Sequence, residues 1–177
     1  MDARFGKPGA HTERVRDIRF RFVALKGEAT GPSAHAVVSG LVSIGVGYYF
    51  GSINCAAISF ASGILIDIDH PIDYFFTHSK ILDVKDMFRE YRLMEPKKVF
   101  VALHSYELIT LLWVAISVFS LSDAWVALAI GLTQHLIFDQ FTNPVKLFGY
   151  FFTYRALNHF DPRKLLFASR KVNGWQH

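Results

Sequence analysis

Residues 29–66 contain no aspartate, glutamate, lysine or arginine, and the run ends abruptly on Asp67-Ile68-Asp69-His70-Pro71-Ile72-Asp73. Gly51-Ser52 divides it into two apolar segments, Ala34 to Phe50 and Ile53 to Ile66. Two residues leave room only for a tight turn, so the pair reads as an antiparallel helical hairpin. Each segment would be about 21–26 Å long, short against a hydrocarbon core of about 30 Å. Including Ser33 and Asp67–Asp69, thinning the bilayer locally or being partly re-entrant would close the gap. Two consecutive charge-free helices are hard to cover in a soluble domain of 177 residues, so the membrane is the preferred reading.

The rest of the chain repeats the pattern. A third apolar segment, Val99 to Leu121, is long enough to span and is interrupted only by His104 and Glu107. Asp123 marks a short turn, and a fourth segment runs from Ala124 to about Phe141, stopped by Asn143-Pro144. Between the two hairpins, Ile81 to Met94 reads as an amphipathic surface helix ending before Pro96. Ser33 reads as the N-cap of the first helix, and Pro71 as a break at His70. The expected fold is all-α: a membrane-embedded antiparallel bundle of about four helices, with a cytoplasmic helical loop and an interfacial C-terminal helix. Residues 1–32 form a basic interfacial segment, 33–145 the membrane domain, and 146–177 an aromatic interfacial stretch with a basic tail.

Charge placement sets the orientation. All 19 lysines and arginines lie in the N-terminal segment, the 67–98 loop or the C-terminal region, and the turns at 51–52 and 122–123 hold none. By the positive-inside rule the basic segments and both termini are cytoplasmic in a multi-pass protein. That orientation accounts for the pI of 9.2, so no nucleic-acid partner is expected, only membrane lipid. No signal-peptide core follows the start methionine, so the N-terminus is expected to be retained. The single cysteine, Cys55, lies in an apolar run and reads as a small packing residue.

The polar residues within this frame carry the chemistry. Asp67, Asp69, His70 and Asp73 fall within seven positions, and acids this close repel unless a cation, an outside base or water compensates. Placed on up-and-down helices, they share one level with His35, His104, Glu107, His135 and Asp139. His135 and Asp139 lie four apart on one helix face, and His104 and Glu107 lie three apart. Taken singly, each histidine is explained as an interfacial or hydrogen-bonded residue. Membrane insertion does not require their common level, and ionisable residues inside membrane segments mark function. The expected metal ligands are His35, Asp69, His70, His104, His135 and Asp139. Asp73, Asp67 or Glu107 would serve as general base or as a supporting carboxylate. Imidazole and carboxylate suit a divalent metal, Zn²⁺ first, with Mn²⁺ or Fe²⁺ as alternatives. Thr133, Gln134 and Thr142 would hydrogen-bond the ligands. His159 with Asp161 reads as an exposed pair, and His11, His78 and His177 fall outside the site.

His35, the DIDHP run at 67–71, His104-Ser105 and His135-x-x-x-Asp139 resemble the YdjM-type membrane-bound metal-dependent hydrolase family over about residues 33–145. The resemblance implies an inner-membrane hydrolase and, from a member linked to the LexA repressor, a regulatory protein partner. The family commonly carries HRxxTHS before the third helix, whereas Val99 to Ser105 lacks the first of those histidines. A weaker likeness to zinc-dependent phospholipase C rests on spacing alone. The function expected is metal-assisted hydrolysis of a small-molecule or lipid phosphoester at the cytoplasmic membrane face, with Lys97 and Lys98 near enough to bind phosphate. A non-catalytic scaffold with a structural metal is the alternative, and an ion or proton transporter a third. The outer halves of the helices carry almost nothing ionisable beyond Asp123, which disfavours a conduction path.

Overall fold

The first apolar run forms α1 (Pro32–Phe50), with Pro32 at its start, where a missing N–H costs nothing. Ser33 therefore lies inside the helix and is not its cap. The chain reverses at Gly51, whose φ of 59° suits a residue without a Cβ. Ser52 then caps α2 (Ile53–Leu65), its hydroxyl accepting from the Cys55 N–H at 3.3 Å. The tight turn is the one expected. In this computed structural model residues 32–78 and 96–167 are described, with Asp83, Lys85 and Met87 between them. The N-terminal segment to residue 31, most of the expected 81–94 helix and the basic residues Arg170 and Lys171 lie outside the described residues.

Two further expectations are corrected. Pro71 does not break the chain: a 3₁₀ turn at Ile66–Ile68 leads directly into α3 (Asp69–Thr77), and His70 is helical. Pro71 occupies the first turn of α3, where a proline ring is tolerated. The third apolar segment, in turn, is helical only over α4 (Tyr106–Phe119), 14 residues, so residues 96–105 form an irregular segment. Its N–H and carbonyl groups are taken by side chains from elsewhere, as described below. Ser105 caps α4 by accepting from the Leu108 N–H. The fourth segment forms α5 (Asp123–Thr142), stopped at Asn143 before Pro144 as expected. Two short helices follow, α6 (Phe152–Leu157) and α7 (Pro162–Leu165). Among the described residues the only β pairing is an isolated bridge between Val145 and Leu166, so the fold is all-α.

α5 is the central element and packs against α1, α2 and α4. Its close approach to α2 requires glycines. A Cβ on Gly131 would collide with the Ser62 hydroxyl and the Ser59 carbonyl. A Cβ on Gly63 would lie 2.6 Å from Gln134 Nε2 and 2.7 Å from Ser39 Oγ. Cys55 is buried with Val46 and Ala127, the packing role expected of it. A second cluster joins Ile109, Leu136 and Tyr150.

Among the described residues two helices are long and apolar enough to cross a membrane: Ser33–Phe50, 18 residues, and the continuous Ile53–Thr77, 25 residues. A core helix of a soluble domain would be mostly buried, yet only 17% and 28% of the apolar 18-residue windows of these two helices are buried.

Gly131→Ala should destabilise the fold by about 1–3 kcal/mol, the range for overpacking a tight interface. Gly45→Ala, with nothing within 4 Å of the added carbon, should be neutral or slightly stabilising. Thermal unfolding of the two variants in detergent checks the contrast.

Candidate metal centre

Four side chains from three parts of the chain converge at the end of the helices away from Gly51. His135 and Asp139 lie on one face in the last turns of α5, Asp67 in the 3₁₀ turn, and His104 just before α4. Their ligand atoms form a closed ring. Asp67 Oδ1 is 3.4 Å from both His104 Nε2 and His135 Nε2. Asp139 Oδ2 is 3.5 Å from His104 Nε2 and 3.6 Å from His135 Nε2. Atoms about 2.0–2.1 Å from one tetrahedral ion lie about 3.3–3.4 Å from each other, close to these separations. His35 Nε2 flanks the ring at 3.3 Å from Asp139 Oδ1, and His70 Nε2 at 3.6 Å from Asp67 Oδ1. The His35–Asp139–His135 and Asp67–His70–His104 groups can each hold a metal ion.

The opposite faces of the two central imidazoles are anchored. His135 Nδ1 is 2.6 Å from the Gly63 carbonyl, so Nδ1–H donates and Nε2 keeps its lone pair. His104 Nδ1 lies 3.1 Å from each oxygen of Asp69, the carboxylate–histidine arrangement that orients a ligand and raises its basicity. Both rings are buried, and both Nε2 atoms lack any hydrogen-bond partner. A buried polar atom left unsatisfied costs about 1–3 kcal/mol, and an ion removes that cost at both positions.

The structure distributes the remaining expected residues differently. Asp69, expected as a ligand, directs its oxygens to His104 and to the Leu103 and His104 N–H groups, which donate at 2.9 and 3.3 Å. Asp67, expected as a base or support, takes the place in the ring. Asp73 accepts from the Phe100 N–H at 3.1 Å. Glu107 turns away from the ring, accepting from the Ser105 and Thr153 hydroxyls and the Phe152 and Thr153 N–H groups. Its four bonds place it at the start of α6. Thr133 accepts from Trp113 Nε1, Gln134 donates to Ser39 and Thr142 donates to the Phe138 carbonyl. His78 stacks on Tyr74, and Asp161 pairs with Arg163, which holds its carboxyl down at about 2.

Arg155 has no counterpart in the sequence reading. Fully buried, it donates from Nη1 to the Phe100 and Val101 carbonyls at 3.0 and 2.8 Å, and from Nη2 to the His104 carbonyl at 2.8 Å. Burial pulls its pKa down, while the Asp69 and Glu107 carboxylates favour the charged form. Residues 100–104 are therefore held from both sides, their N–H groups by Asp69 and Asp73 and their carbonyls by Arg155. Tyr150 is the second unforeseen residue. It receives a hydrogen bond from Asn143 Nδ2 at 3.1 Å and stands beside Asp139. Burial and the Asp139 carboxylate push its phenol well above the ordinary value, so it stays protonated. The available signal for Arg155 was a lone charge in the aromatic stretch Phe151–Leu157.

The chain matches no family model, no curated protein and no solved structure.

Asp69→Asn should weaken metal binding by about 10–100-fold, the cost of losing a partner that orients a ligating histidine. His78→Ala should leave it unchanged. Competition with a chromophoric chelator measures both. Loss of metal in Asp69→Asn as complete as in His135→Ala would make Asp69 a ligand.

Proposed function

We propose that this protein is a membrane-bound, divalent-metal-dependent hydrolase acting on a phosphoester, lipid-linked or of small-molecule size, at the cytoplasmic face. The observation that carries the reading is the pair of buried histidine Nε2 atoms without hydrogen-bond partners, aimed at two carboxylates. A bound divalent ion supplies charge stabilisation and an activated water at neutral pH. His104 and His135 hold the ion, Asp67 and Asp139 supply charge, and Asp69 and the Gly63 carbonyl fix the imidazoles. Zn²⁺ fits this donor set best, with Mn²⁺ and Fe²⁺ also accepted. A metal-dependent hydrolase of the inner membrane is also what the likeness to YdjM-type hydrolases implies.

The membrane part of the proposal rests on the two candidate spans and on their exposed apolar faces. Val37, Leu41, Ile44, Leu111, Val114 and Val118 all lie on the surface. Exposed apolar rows of this kind on α1 and on α4 suit lipid. In this reading α1, α2–α3, α4 and α5 form the membrane bundle, both termini are cytoplasmic, and the ring lies at the inner leaflet. Asp67 and His70 keep 45% and 30% of their side chains exposed, against 5% or less for His104, His135 and Asp139. Access is therefore from the Asp67 side, where Leu65, Ile68 and Ile72 are exposed apolar neighbours. That rim favours a substrate carrying a lipid chain.

Purified protein should carry a first-row divalent metal, and His135→Ala and Asp67→Ala should lose it together with phosphoesterase activity while still inserting in the membrane. Elemental analysis, a phosphoester panel and membrane fractionation read the three properties. Wild-type protein with metal but without activity on any lipid or soluble ester would favour the scaffold. Reporter fusions at residue 177 and in the 78–86 loop should both report the cytoplasm.

A further inference from the structure

We infer that the centre holds two divalent ions, one on His35, His135 and Asp139 and the other on Asp67, His70 and His104, and that it takes a phosphate group across the pair. The inference rests on the metal-site reading above and specifies the number of ions and what they bind.

One ion inside the ring would use His104, His135, Asp67 and Asp139 and leave two histidines unexplained. His35 Nε2 lies 3.3 Å from Asp139 Oδ1, whereas His104 and His135 face Oδ2 of the same carboxylate. The candidate ligands divide into two sets of like composition, each with two histidines and one aspartate: His35, His135 and Asp139, and Asp67, His70 and His104. The ligand atoms within each set lie within 4.8 Å of one another. The sets are cross-linked by their carboxylates, Asp67 reaching His135 at 3.4 Å and Asp139 reaching His104 at 3.5 Å. Paired catalytic ions lie about 3.5–4 Å apart, so two neighbouring ligand sets are what such a pair requires.

Charge favours the same count. Asp67, Asp69, Asp73 and Asp139 surround the region with Arg155 as the buried cation, leaving three negative charges if the imidazoles are neutral, more than one divalent ion offsets. Three protein ligands per ion leave each an open position, the mark of catalytic rather than structural sites. With Asp67 and His70 the most exposed ligands, the open positions lie on their side. A tetrahedral phosphate group can place one oxygen on each of two such ions.

The experiment uses full-length protein in detergent, stripped with chelator and reloaded with Mn²⁺. Elemental analysis should give two ions per chain at saturation, and paramagnetic resonance an exchange-coupled pair. Inorganic phosphate should perturb that signal. His35→Ala and His70→Ala should each retain a single ion with an uncoupled six-line spectrum, so the wild type already decides the count if a variant fails to fold. One ion per wild-type chain, with an uncoupled spectrum, would overturn the two-ion inference and leave the metal-site reading standing. No bound ion would overturn that reading itself.

Discussion

Mutual repulsion of carboxylates is the constraint on which the site depends. Two unit charges 4 Å apart repel by about 4 kcal/mol at an effective dielectric of 20, and Asp67, Asp69, Asp73 and Asp139 all meet at one end of the helices. The fold answers each differently. Asp69 and Asp73 receive N–H groups of residues 100–104, and Arg155 holds the carbonyls of the same segment. Asp67 and Asp139 instead face imidazoles at 3.3–3.6 Å, too long for good hydrogen bonds and suited to an ion between. The irregularity of residues 96–105 follows from the same demand. A helix over Val99 to Ser105 would consume the N–H groups that Asp69 and Asp73 need.

That electrostatic arrangement needs the helices to be close. His135 reaches the Gly63 carbonyl only because Gly63 and Gly131 bring α2 and α5 backbone to backbone. Ser62 extends the seam by donating to the Leu128 carbonyl at 3.2 Å, and Gln134 does so by donating to Ser39 at 2.7 Å. Small residues and side-chain hydrogen bonds of this kind are the usual means of joining helices in lipid, each bond adding about 0.6 kcal/mol. Packing and chemistry are thus set by the same few positions.

The helical elements were legible where periodicity and end signals agree. Gly51-Ser52 and Asn143-Pro144 act locally, and the hairpin turn and the end of α5 fall where they place them. Pro71 was misleading because a proline disfavours the residue before it in general, yet is accepted in a first helical turn, and the 3₁₀ turn at Ile66–Ile68 supplies one. Helix α4 starts later than its apolar composition suggests because tertiary partners outbid the local preference of residues 99–105. The ring histidines were legible from their common level, but which carboxylate ligates was not. Asp67 and Asp69 are separated by two positions, and only the pitch of the intervening 3₁₀ turn directs one to the ring and the other to His104 Nδ1.

Arg155 ties the C-terminal aromatic region to this chemistry in a way no spacing rule encodes. Its three carbonyl partners span Phe100 to His104, while Glu107 in α4 returns the connection by accepting from Phe152 and Thr153 at the start of α6. The Tyr106 N–H donating to the Tyr150 carbonyl, and the Val99 N–H donating to the Phe160 carbonyl, close the same seam. Arg155, Val101 and His104 are buried, so breaking the bonds between them leaves polar groups unsatisfied rather than solvated. His104 is therefore held by two independent devices, its ring by Asp69 and its backbone by Arg155. A side chain fixed at both ends cannot swing to relieve the gap between its Nε2 and the carboxylates, and that gap is of a size a cation can fill.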